Sequence, residues 1–130
     1  MMSSAKNELG QQGEALAVDF LIKKGYKILE KNYRMKFGEI DIVAKDGETV
    51  CFVEVKTRTD GDRGTPWESV TFAKQRNLSR LALAYLKHRY KSIDVCARFD
   101  VIAVSFEEDP KGEVELLKNA FDFCLYTPGG

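Results

Sequence analysis

Apolar side chains recur along this chain at two different periods. In residues 6–24, Leu9, Gly13, Leu16, Ala17, Phe20 and Leu21 fall on one face at helical spacing, and Gly25 after Lys23 and Lys24 is a helix stop. Leu78, Leu81, Ala82, Tyr85 and Leu86 form a second helical stripe, within residues 70–90. Between the two helices, runs rich in β-forming residues predict strands at YKILEKNYR (26–34), EIDIVA (39–44) and TVCFVEVKT (49–57). A fourth strand is expected at ARFDVIAVSF (97–106), and EEDPKGE (107–113) turns into a weaker fifth, VELLKNAF. Lys45-Asp46-Gly47-Glu48 carries the Asp-Gly signature of a tight type I′ hairpin, while TRTDGDRGTPWE (57–68) reads as a mobile loop. The order αβββαββ is that of an α/β fold, a central mixed sheet flanked by helices, in a single domain over residues 1–130.

The hairpin places charge where a strand pattern does not call for it. With Asp46 and Gly47 as the turn, Val43 faces Val50, Asp41 faces Phe52, Glu39 faces Glu54 and Phe37 faces Lys56. Glu39, Asp41, Glu54 and Lys56 then emerge on one face, while Ile40, Ile42, Cys51, Val53 and Val55 cover the other. Asp41 and Glu54 become diagonal neighbours with Cα atoms roughly 7–8 Å apart, a spacing at which two carboxylates can close on one cation. Ligands that are all oxygen suit Mg²⁺ or Mn²⁺. Lys56, two residues beyond Glu54, can orient a water or stabilise charge developing on a phosphate. The same pattern also fits a solvated sheet face with Lys56 pairing across strands. Against that, Val43, Val50 and Phe52 continue the face as an apolar floor, and Glu39 opposite Glu54 is an unfavourable like-charge pair.

Composition narrows the classes. The chain has 130 residues, 44% hydrophobic and 31% charged, which is the size and balance of one globular domain. The start, MMSSAKNELGQQGEA, lacks the apolar core of a signal peptide, and no apolar run approaches the roughly 18 residues of a membrane span. Cys51, Cys96 and Cys124 are odd in number and scattered, as expected of buried reduced thiols in a cytoplasmic protein. A single histidine, His88, removes most histidine-based catalytic and metal schemes. The net charge is zero, but residues 56–91 carry nine basic and three acidic side chains, a net of +6. Either a solvated helix face or a surface turned toward a polyanion accounts for that segment. Within it Lys74 lies on the apolar stripe near a helix N-terminus, where positive charge is disfavoured. A carboxylate or a substrate phosphate would supply its partner, unless its stem packs and its head snorkels to water. Gln75, Arg58, Arg63 and Arg76 are further candidates for contact with a phosphate backbone. Trp67 is expected in the core, and Asp100 in a structural pair with Arg98.

Asp41 followed at a distance by Glu54-Val55-Lys56 resembles the D…ExK signature of the PD-(D/E)xK nuclease superfamily, whose helix and strand order also matches. More closely, GEALA (13–17), GEIDIVA (38–44), FVEVKTR (52–58), SVTFAKQ (69–75), RFDVIAV (98–104) and NAF (119–121) resemble the YraN-like proteins, uncharacterised protein family UPF0102. The resemblance implies a restriction-endonuclease-like fold similar to Holliday-junction resolvases. It also implies a metal-dependent nuclease in which Asp41 and Glu54 bind metal, Lys56 assists the attacking water, and Glu14 completes the site. Glu39 is a further ligand candidate, although the superfamily's proline–aspartate pair is Ile40-Asp41 here. The implied substrate is DNA, in branched or damaged structures. The alternative is a nucleic-acid-binding module of the same fold that has lost catalysis. A homodimer would suit a two-strand cutter.

Overall fold

The computed structural model describes residues 5–59 and 70–123. Most of the loop expected over 57–68, with Arg63 and Trp67, and also Cys124, lie outside the described residues. The elements follow in the order α1 (Ala5–Lys23), β1 (Lys27–Met35), β2 (Gly38–Asp46), β3 (Thr49–Arg58), α2 (Phe72–Tyr90), β4 (Ala97–Ser105) and β5 (Glu113–Phe121). They build the expected αβββαββ fold, an α/β arrangement consistent with a restriction-endonuclease-like core. The five strands lie in sequence order across one sheet. β1, β2 and β3 form an antiparallel meander, β4 runs parallel to β3, and β5 returns antiparallel to β4. A parallel pair needs a crossover, and α2 supplies it.

Each helix covers one face of the sheet, because each presents one apolar stripe. Ala17 and Leu21 of α1 pack with Tyr26, Ile42, Ala44, Cys51, Val53, Ile102 and Val104. Leu78, Leu81, Ala82, Tyr85 and Leu86 of α2, the stripe expected from the sequence, pack with Val43, Val50, Phe52, Phe99 and Val101 on the other face. Thr71 caps α2, its hydroxyl accepting from Lys74 N at 3.2 Å, and Lys91 ends the helix in the left-handed region at φ 60°. Asp100 is fully buried and paired as expected: Arg98 Nε donates to it at 3.0 Å and Asn119 N at 2.9 Å. Arg98 Nη2 donates to Tyr26 Oη at 2.8 Å and to Asp46 Oδ2 at 2.9 Å. Of the thiols, Cys51 is buried as expected but Cys96 is exposed.

The β2–β3 turn departs from the expected one. Asp46 faces Thr49, Lys45 faces Val50 and Val43 faces Phe52, so the two turn residues are Gly47 and Glu48, not Asp46 and Gly47. Gly47 alone carries positive φ (61°), which makes the turn type II′. Asp46 stays in the ladder because its carboxylate is held by Arg98. The change moves the pairing by two positions, so each side chain within the ladder from Ile42 to Val53 keeps its face.

A second departure is local to the middle of β1 and β2. Ile40 and Ile42 are both fully buried, yet Ile40 packs with the α2 cluster and Ile42 with the α1 cluster. Strict alternation would put them on one face, so the strand switches phase at Asp41. Opposite that point, Lys31 faces Ile42 and Tyr33 faces Ile40, and Asn32 between them is left-handed at φ 53°.

Gly13 sets how closely α1 approaches β3. A β-carbon there would lie 2.1 Å from Thr57 Oγ1 and 3.2 Å from Thr57 Cβ. Gly13→Ala is therefore expected to destabilise by about 1–3 kcal/mol through overpacking, despite a helix-propensity gain of about 1 kcal/mol. Adding Thr57→Ala should recover part of the loss, as read from urea unfolding curves of the three variants.

Candidate active site

Asp41 stands where β2 and β3 part. The ladder between them runs from Asp46↔Thr49 to Ile42↔Val53, and one step beyond it Val55 N donates to Asp41 Oδ2 at 2.8 Å. The carboxylate thus takes a strand N–H that a partner carbonyl would otherwise accept, which holds it in the seam between the strands. Glu54 lies on the α2 side of β3, following Val50 and Phe52 in alternation, and is only 7% exposed. A carboxylate so buried requires a partner, and Lys74 Nζ from α2 supplies it at 2.5 Å from Glu54 Oε2. Lys56, half-buried, follows Glu54 on the same face. The solvated-face alternative fails on the burial of Glu54.

Electrostatics tie the four groups together. Burial and the negative charge of Glu54, with a smaller contribution from Glu14, push the Asp41 carboxyl up to about 8 against the stabilising Val55 hydrogen bond. Burial lowers Lys56, and the neighbouring Lys74 ammonium lowers it further, with Glu54 and Asp41 opposing. Burial would lower Lys74 too, but its hydrogen bond to Glu54 and the charge of that carboxylate outweigh it and raise the lysine. Two lysines in one site are therefore displaced in opposite directions.

Glu14 is the contribution of α1. Its Oε1 accepts from Asn32 Nδ2 at 3.1 Å, and it lies one residue beyond the close approach of Gly13 to Thr57. Asn32 is a site residue that sequence reasoning missed. A signal was present, because asparagine is depleted from strands and is among the few residues that tolerate a left-handed backbone. Its conformation turns the amide toward α1 while Tyr33 packs against Tyr85 of α2.

The other candidates are engaged with different partners. Glu39 does not face Glu54; its cross-strand neighbour is Arg34, whose Nε donates to it at 2.9 Å. Gln75 closes the entry to α2, its Nε2 donating to Val70 O at 3.0 Å. Arg76 stacks over the Phe72 ring at 5.9 Å, and Arg58 ends β3, its carbonyl accepting from Phe106 N at 3.2 Å.

The donor set fits a hard divalent cation. It is oxygen only, and two carboxylates sit so close that one is driven to keep its proton when no cation balances them. Among the described residues no three acidic, cysteine or histidine groups converge as a ready-made cage. Mg²⁺ does not require one, since it is commonly held by one or two carboxylates with waters and substrate phosphates.

Comparison with known sequences matches this architecture to a family. The sequence model of "Uncharacterised protein family UPF0102" matches residues 13–104. The chain belongs to UPF0102. A UPF0102 protein of Geobacter metallireducens is 50% identical over 123 residues, covering 95% of this chain and 99% of the relative. UPF0102 proteins of Chlorobium phaeobacteroides (47% over 125 residues, 92% and 98% covered) and Thermodesulfovibrio yellowstonii (50% over 117 residues, 90% and 98% covered) are similarly related. The stretch that matches the UPF0102 model contains Glu14, Asn32, Asp41, Glu54, Lys56 and Lys74. It stops before β5.

The displaced Asp41 has a measurable consequence. Between its ordinary value of 3.8 and about 8, the folded chain binds a proton at Asp41 that the unfolded chain does not. Stability from this group is thus fully present below 3.8 and is lost as pH rises through about 8. Asp41→Asn, which is neutral throughout, should melt several degrees above the wild type at pH 8.5 in EDTA and show a flatter decline from pH 5 to 9. Thermal melts across that range check both.

Proposed function

We propose that this protein is a divalent-metal-dependent nuclease of the PD-(D/E)xK type that hydrolyses phosphodiester bonds in DNA, with branched or damaged structures as its targets. The observation that carries the reading is half-buried Asp41 in the strand seam beside buried Glu54, with Lys56 next along the strand. Asp41 and Glu54 would hold Mg²⁺ or Mn²⁺, with Glu14 held at the margin by Asn32. When bound, such an ion polarises the phosphate and makes water a better nucleophile. Lys56, its ammonium weakened by burial, is suited to orient that water and to exchange a proton at Nζ. Lys74 offsets the charge of Glu54 and adds a cation toward the scissile phosphate. Metal-assisted phosphodiester hydrolysis by a small α/β domain accounts for Asp41, Glu54, Lys56 and Lys74 being gathered at one place. No helix among the described residues is long and apolar enough to cross a membrane. A cytoplasmic protein is the companion reading, and a homodimer would present two such sites to two strands.

A second reading is supported by the Lys74–Glu54 ion pair itself. An ammonium against Glu54 stands in for a metal's charge, as expected of a nucleic-acid-binding module that no longer cuts. Cleavage assays separate the two. With Mg²⁺ or Mn²⁺ the wild type should cut at least one of duplex, flap or four-way-junction DNA. Asp41→Asn and Lys56→Ala should each lose about 10²–10⁴-fold in rate. A homogeneous preparation that binds these DNAs in a salt-dependent manner but cuts none of them establishes the binding module instead.

A further inference from the structure

The outward side of α2 carries an alternation of rings and cations that the metal site does not use. Phe72, Arg76 and Arg80 recur at intervals of four and so line one helix face. Phe72 is 57% exposed, an unusual cost for a phenylalanine in the first turn of a helix. The β1–β2 turn brings a second ring to the same face. Asn77 Nδ2 of α2 donates to Phe37 O at 2.6 Å, which docks the turn on the helix, and Phe37 stays 38% exposed. Each ring has one arginine over it, Arg76 at 5.9 Å from Phe72 and Arg80 at 4.8 Å from Phe37. The helix that carries them holds five Lys and Arg residues and no acidic one.

This surface lies at the same end of the domain as Asp41, Glu54 and Lys56. β2 begins at Gly38, directly after Phe37, and α2 begins at Phe72, two residues before the lysine that reaches Glu54. Phe72 and Lys74 point to different sides of the helix, so about 10 Å, one helix diameter, separates the rings from the metal site. An exposed ring with a cation on one face leaves its other face open for a flat partner. The partner that combines a flat apolar face with negative charge at short repeats is an unpaired nucleotide. In a duplex the faces of the bases are stacked away, and the phosphates alone would meet the arginines.

Resting on the nuclease reading above, we propose that Phe37 and Phe72, backed by Arg80 and Arg76, stack unpaired bases of DNA. The substrate is then a duplex with a single-stranded arm leaving beside the cleavage site, such as a flap or fork. Duplex stacking would leave both rings without a partner.

Binding in EDTA tests this without turnover. The full chain is titrated against fluorescently labelled oligo-dT, a blunt duplex, and the same duplex with a single-stranded arm containing 2-aminopurine. The armed DNA should bind more tightly than the blunt duplex and quench its 2-aminopurine on binding. Phe37→Leu and Phe72→Leu, which keep apolar bulk but remove the ring, should each weaken binding of the armed DNA by about 5- to 100-fold with little change in salt slope. Phe→Tyr at either position should bind like the wild type, which shows that the fold tolerates the exchange. Arg76→Gln and Arg80→Gln should each reduce the salt slope by about one. Equal wild-type affinity for blunt and armed DNA overturns the proposal, as does unchanged quenching in the leucine variants. Arm-specific binding without Mg²⁺-dependent cutting leaves it standing and removes the nuclease reading. Cutting that ignores both rings does the reverse.

Discussion

One hydrogen bond organises the centre of this protein: the amide of Val55 given to the carboxylate of Asp41. Adjacent strands normally satisfy each other's backbone, and a side chain can replace the missing acceptor only by entering the seam between them. That single substitution ends the β2–β3 ladder and draws a carboxylate beside Glu54. It also coincides with the change of face between Ile40 and Ile42, through which both helices obtain an apolar surface at that point of the sheet. The mixed sheet, the two cores and the acidic pair meet at this residue.

The charge balance around the seam is unequal by construction. Two carboxylates and two lysines meet there, yet only Glu54 and Lys74 form a close ion pair. At Asp41 burial and repulsion outweigh the Val55 hydrogen bond, and at Lys56 burial and a like-charged neighbour outweigh the nearby carboxylates. A buried network whose members are incompletely satisfied costs stability. In a small domain, where one or two kcal/mol matter, that cost falls on the groups that the proposed metal site would use. The Arg98 cluster shows the contrast. There Asp100, Asp46 and Tyr26 surround one guanidinium and Asn119 N donates to Asp100, so the groups satisfy one another and the role is structural.

Most of the fold was legible because it follows from periodicity. The stripe from Leu78 to Leu86 and the strand runs are direct expressions of what must be buried. The grouping of Asp41, Glu54 and Lys56 survived a wrong turn assignment, since an error of two positions preserves the side-chain face. The expected pairing of Glu39 with Glu54 fails because the β2–β3 ladder ends at Ile42↔Val53, and Glu39 is held instead by Arg34 of β1. The phase change at Asp41 was not legible, because strand-pattern reasoning assumes the alternation that breaks there. Asn32 carries a residue-type signal but no periodic one. Lys74 is readable as a cation in an unfavourable place, while its pairing with the Glu54 carboxylate follows from how α2 docks on the sheet.

The placement of the two helices on opposite faces bears on how the chain matures. A chain synthesised from its N-terminus holds α1 and the β1–β3 meander before α2 and β4 exist. At that stage Asp41 and Glu54 lie side by side without Lys74, and closing the hairpin there costs either their repulsion or a proton taken up by Asp41. The neutralising lysine arrives on the same segment that carries β3 into its parallel pairing with β4. The final geometry of the acidic pair is thereby coupled to completion of the domain, and a half-made chain lacks the arrangement.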